Sequence, residues 1–181
     1  LVEDDVLFLY GADGSVVLDA ARVQAGPQAR DASGAWRVPS ASTPGEPNEI
    51  DLQTDIVIHE IQYHRAPVSA EGEPFAEREE EWIELFNRGE SVVDLAGWTL
   101  VDGVSFTFPD GTVLEPGGYL VVAGDAASLR ADHPDITVIG DLRGRLGNGG
   151  DRLVLLDAVG NAADELRYFD GGRWPAEADG G

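Results

Sequence analysis

From residue 56 onward, short apolar runs alternate with Gly-, Pro- and Asp-containing turn signals, so that few runs outlast about ten residues before the chain must reverse. Helices long enough to cross a domain have no room in such a pattern. Many short strands do, and strands of this kind stack as a sandwich. The runs are Ile56 to Tyr63, Glu81 to Asn87, Val92 to Val101 (one or two strands), Phe106 to Phe108, Val113-Leu114, Tyr119 to Ala123 and Ile136 to Ile139. Pro109-Asp110-Gly111 after Phe108 predicts a type I turn with Pro at i+1 and Gly at i+3. Asp125 is placed to cap a short helix over Ala126 to Ala131, stopped by His133-Pro134. The expectation is an all-β sandwich of two antiparallel sheets over 55–170. Its expected buried set is Ile83, Leu85, Trp98, Leu100, Phe108, Tyr119, Val121, Leu153 and Leu155. Trp98 is expected at the centre, with Leu100, Phe106, Phe108 and Leu114 around it.

A hairpin pattern occurs twice. Asp5-Val-Leu-Phe-Leu9 runs through Ala12-Asp13-Gly14 into Val16-Val17-Leu18, and Asp151-Arg-Leu-Val-Leu155 runs through Ala158-Val159-Gly160 toward Glu165 to Tyr168. Aligning Asp5 with Asp151 also aligns Leu7 with Leu153, Leu9 with Leu155, Ala12 with Ala158 and Gly14 with Gly160. Between the hairpins, residues 23–54 are rich in Gly, Pro, Ala and Ser, and Pro27, Pro39, Pro44 and Pro47 favour extended chain. This predicts three parts: a hairpin at 1–22, a connector at 23–54 and a domain at 55–181. With no initiator Met and no signal peptide, the chain reads as a piece of a longer protein.

Charge narrows the partners. The 181 residues carry a formal net charge of -22, and the twelve basic residues are all Arg. Such a surface repels phosphate backbones and anionic lipids, which argues against nucleic acid and bare membrane and in favour of cations. No apolar run reaches the length of a membrane span. The absence of Cys excludes disulfides and thiolate chemistry.

The acidic stretch before Trp82 offers the candidate metal site. Glu79, Glu80, Glu81 and Glu84 are the oxygens a hard cation such as calcium would use, provided they converge. The competing reading is a solvated loop entering a strand, because alternation places Ile83 and Leu85 on one face and Trp82, Glu84 and Phe86 on the other. Trp82 and Trp174 are candidate contacts for a protein or carbohydrate surface. His59 and His64, five apart on a strand, do not form a helical zinc pair, and His59 reads as half-buried packing. The glycines Gly144, Gly147, Gly149 and Gly150 precede a strand rather than a helix, which makes them turn or bulge residues and not a phosphate cradle. Glu60 and Glu84 stand on neighbouring strands, a spacing any acidic sandwich contains, so no catalytic residue is assigned.

Taken in order, "IVIHEIQYH", "EEWIELFNRGESVVDLAGWTLVDG", "FTFPDGTVLEPGGYLVVAGD" and "LGNGGDRLVLLDAVGNAADELRY" resemble the successive motifs of the lamin tail domain family, from about Asp55 onward. The resemblance implies an immunoglobulin-like β-sandwich without catalytic residues. It also implies a bacterial module of a secreted or surface protein, working in adhesion, spacing or targeting of neighbouring domains. "DDVLFLYGADGSVVLDAARV" resembles the closing hairpin of a preceding copy, and "GAWRVPSASTPGEPN" the tail that follows one. Two departures stand out: His59 replaces the usual Asn before Glu60, and "RAPVSAEGEPFAERE" is a long insert. Two other roles are open at this point, a calcium-stiffened module and a fragment of a hydrolase-containing protein. Strand exchange between chains through the N-terminal hairpin is a further expectation, because Val6, Leu7, Phe8, Leu9, Val16, Val17 and Leu18 are too apolar to stand in water.

Overall fold

The computed structural model of the protein describes residues 4–23, 25–63 and 81–169. The chain divides into two compact units, Leu1–Asp51 and Leu52–Gly181.

The first unit is made of two small hairpins. Strands β1 (Val6–Tyr10) and β2 (Val17–Arg22) pair antiparallel, and β3 (Ala29–Arg30) pairs with β4 (Trp36–Arg37). The second pair lies inside the stretch expected to be extended chain. It forms because Asp31 organises its own turn, accepting the N–H groups of Ser33 and Ala35, while Gly34 takes a φ of 88°. The Ser33 hydroxyl, followed by the Arg37 guanidinium, holds the Asp31 carboxyl down at about 2. Arg30 lies 4.4 Å from the centroid of the Trp36 ring and grips both carboxylate oxygens of Asp19 at 2.7 Å, which ties the two hairpins together.

The second unit is the sandwich. Its elements are β5 (Ile56–Gln62), β6 (Trp82–Asn87), β7 (Val93–Asp94), β8 (Thr99–Asp102), β9 (Val104–Thr107), β10 (Val113–Leu114), β11 (Tyr119–Ala123), helix α1 (Ala126–Asp132), β12 (Val138–Gly140), β13 (Arg143–Gly144), β14 (Gly150–Leu156) and β15 (Ala162–Phe169). One sheet runs β12-β11-β6-β5 and the other β13-β9-β8-β14-β15, with β7 and β10 as a separate short pair. Among the described residues all pairings are antiparallel except β11 with β12. The expected all-β sandwich is therefore the observed one.

Period-two alternation builds the core. In β6 Ile83, Leu85 and Asn87 are buried, while the residues between them are only half-buried. Ile83, Leu85, Leu120 and Val122 from one sheet share a buried cluster with Leu100, Val104, Leu153, Leu155 and Tyr168 from the other. Trp98, 3% exposed, joins it with Leu95, Phe108 and Leu114. With Asp157 and Asn161, Asn87 is one of the buried polar residues. Its amide donates at 2.8 Å to the carbonyls of Ser91 and Leu114 and accepts the Gly89 N–H at 2.9 Å, so a buried amide knits the loop after β6 to β10.

Two expectations need correction. Tyr119 is 49% exposed rather than buried. In the run Tyr-Leu-Val-Val-Ala every residue is apolar, so polarity cannot say which parity faces inward; register with β6 decides it, and Tyr119 pairs with Phe86 on the outer face. The turn after Phe108 falls one residue later than expected. Thr112 N–H bonds to the Pro109 carbonyl, which puts Gly111, at a φ of 79°, in the third position, where a left-handed residue is required. The helix matches the expectation to within one residue, with Asp125 capping the Ser128 N–H at 2.9 Å. No helix among the described residues is long and apolar enough to cross a membrane.

Candidate functional site

The outer face of the β12-β11-β6-β5 sheet is divided in two. At one end, Val121, Ala123 and Val138 form a second small core with Ala126 and Leu129 of α1, and Trp82 packs against it. Val121 is buried as expected, but under the helix and not in the main core. Trp82, expected as a surface contact, serves as packing for this helix.

At the other end the face is open. Phe86 and Tyr119, cross-strand partners, stack with centroids 4.7 Å apart and planes inclined by 27°. The His59 ring lies 5.4 Å from each of them. It reaches them because β5 bulges: Ile58 pairs with Leu85 and Glu60 with Glu84, leaving His59 as the extra residue. The bulge has a clear cause in the sequence. Ile56, Ile58 and Ile61 must all face inward, yet Ile61 is three residues past Ile58, so one residue has to be skipped. His59 is that residue, and its Nδ1 lies 2.9 Å from Glu84 Oε1. The side chains of His59 and Glu84 are 45% and 20% exposed. The result is a partly exposed aromatic cluster whose rings are inclined to one another by 27°, 49° and 66°, with an imidazole–carboxylate pair and the phenol end of Tyr119 at hand. Such a cluster can pack its exposed ring edges against an apolar side chain or sugar face and hydrogen-bond at its rim. Glu60 stands beside Glu84 on this open face and not across a cleft.

The four candidate metal ligands are not gathered by the described structure. Glu79 and Glu80 lie outside the described residues. Glu81 accepts the Leu146 N–H through Oε2 at 2.8 Å, and Glu84 is paired with His59, so strand alternation has sent the two to different tasks. Among the described residues no group of three His, Cys, Asp or Glu is placed to hold a metal ion. His64 and Trp174 also lie outside the described residues. The signal that would have found the aromatic surface was present in the sequence, in the outward parity of Phe86 and the irregular spacing of the isoleucines in "IVIHEIQ".

The closing hairpin completes the site's support. Asp164, just past a bulge in β15, accepts the Ile58 N–H at 2.8 Å, fixing β5 beside the His59 bulge. Arg152 holds both carboxylate oxygens of Glu165 and also contacts Asp102, linking β8, β14 and β15, and in consequence the Glu165 carboxyl lies below its usual range. The Tyr168 ring packs against Tyr63 with centroids 4.6 Å apart and planes inclined by 33°, and its hydroxyl donates to the Gly147 carbonyl at 3.0 Å. These same strands, read as a series, match a known family model. No individually curated protein matches the chain. The model described as Lamin Tail Domain matches residues 52–170, which takes in every strand of the sandwich, and the chain belongs to that family.

Proposed function

We propose that the chain is a non-catalytic lamin-tail module of a larger secreted or surface protein, one that positions neighbouring domains and makes a surface contact of its own. The observation that carries this reading is the open aromatic cluster of Tyr119, Phe86 and His59 beside the helix-covered half of the same sheet. Large apolar rings left on a sheet face where α1 could have covered them favour a contact role. The net charge of -22 favours neutral or cationic partners over phosphate-bearing ones. A neutral polysaccharide or a basic protein surface fits both features.

The test is retention of the intact chain on a panel of neutral polysaccharides and basic proteins, compared with Tyr119→Ala. Because Tyr119 is outside the core, the variant keeps its fold, checked by an unchanged melt. Retention that falls at least about tenfold supports the contact role, a loss equivalent to ~1.4 kcal/mol. Retention that is equal for both proteins removes it and leaves spacing alone.

A further inference from the structure

The hairpin β1–β2 repeats the architecture of the closing hairpin β14–β15 in detail. In β1–β2 the register slips between Leu9 and Tyr10, so that Leu18 is the extra residue; in β14–β15 it slips between Leu155 and Leu156, so that Ala163 is the extra one. The turns agree as well. Gly14 N–H bonds to the Gly11 carbonyl and Gly160 N–H to the Asp157 carbonyl, both glycines at positive φ, 69° and 96°. With one residue more in the first turn, Asp19 falls on Asp164 and Arg22 on Arg167, in addition to Leu7 on Leu153 and Leu9 on Leu155.

The surroundings of the two hairpins do not agree. Leu153 and Leu155 are fully buried, covered by the opposing sheet, and β14 is paired on both edges, with β8 as its second neighbour. Leu7 and Leu9 are 46% and 61% exposed, and among the described residues β1 pairs only with β2. Strand parity is preserved too. Asp5 and Gly11 bond across to Val23 and Val16, the residues that flank β2, so alternation turns the backbone groups of Val6, Phe8 and Tyr10 toward the free edge; Arg152, the counterpart of Val6, accepts Gly103 N–H from the β8 side.

We propose that residues 5–23 are the closing hairpin of a second lamin-tail sandwich, and that what covers them is the body of that sandwich: strands equivalent to Ile56–Gly144 here, ending in an open β8-type edge. The chemistry of the cover follows from the counterpart. A strand edge pairs with Val6, Phe8 and Tyr10, and an apolar opposing sheet takes Leu7 and Leu9. This goes beyond the contact role above and stands independently of it.

The test is a graft in the full chain. Residues 151–168 are replaced by 5–23, so that the first hairpin must close the sandwich in place of the second. A parallel graft carries Val23→Tyr, which restores the buried Tyr168 position. At least the Val23→Tyr graft is expected to melt cooperatively, and Leu7→Lys with Leu9→Lys is expected to abolish that melt while leaving the melt of the sandwich in the ungrafted chain unchanged. If neither graft melts more cooperatively than one carrying a scrambled hairpin, the proposal is overturned. Hydrogen exchange on the ungrafted chain checks that the cover is absent. Fast exchange at Val6, Phe8 and Tyr10 in a monomer is expected. Protection there equal to that of Arg152 and Val154 in a monomer overturns the proposal, as does a dimer that Phe8→Lys dissociates, since the cover would then be the chain itself or a second copy.

Discussion

The carboxylate of Asp164 accepts the backbone N–H of Ile58 at 2.8 Å, joining the closing hairpin of one sheet to the first strand of the other. Both residues sit beside bulges, and β5 is the edge strand of its sheet, where a backbone N–H can take a side-chain acceptor. Asp164→Ala leaves a part-buried N–H without its acceptor and is expected to cost about 1–3 kcal/mol. Asp164→Asn, which keeps an acceptor oxygen, is expected to recover most of that. Urea denaturation of the two variants measures the difference, and equal losses would mean that charge, not the bond, matters.

Trp98 is 3% exposed in the main cluster. Trp98→Ala removes one of the largest buried side chains and is expected to cost about 3–5 kcal/mol. A thermal melt shows this directly, and an unchanged midpoint contradicts the core assignment.

Glu81 is a structural acceptor in the described fold, bonded to Leu146 N–H. Glu81→Ala is expected to lower stability by about 1–3 kcal/mol, the cost of leaving that N–H unpaired. The loss is expected to be the same in EDTA and in calcium. A penalty that appears only with calcium present assigns the residue to a cation instead, as the acidic run first suggested.

Burial, with the nearby Asp151 and Glu81 carboxylates adding to it, pushes the Tyr168 hydroxyl well above its ordinary range. The folded protein therefore holds this proton where the unfolded chain, titrating near about 10, releases it. Stability is unaffected by the group below that pH and falls as pH rises above it. Tyr168→Phe is expected to flatten this alkaline limb while lowering stability near neutrality through loss of the bond to Gly147. Denaturation midpoints from pH 8 to 12 for both proteins test the sign.

The strands, the helix cap and the inward parity of β6 were legible in the residues. Alternation of Ile83 and Leu85 with Glu84 admits one orientation only when a single face is dry, and Asp125 ahead of Ala126 has few other uses. Tyr119 was not legible. Its strand is apolar on both parities because α1 covers the outer face at Val121 and Ala123, and a helix packing across a sheet leaves no polar mark on the strand beneath it.

The fate of the acidic run was likewise hidden, for a different reason. Within a run of acids, a glutamate that precedes no helix reads the same in sequence whether it accepts a backbone N–H, pairs with an imidazole or binds an ion. Glu81 went to Leu146, sixty-five residues away in the chain, and Glu84 to His59. By itself the sequence determined the fold class and the likeness of the two hairpins, because each is written in local periodicity and glycine placement. Only the tertiary structure decided which hairpin is covered and which polar groups are paired, because burial and pairing depend on segments that come together from distant parts of the chain.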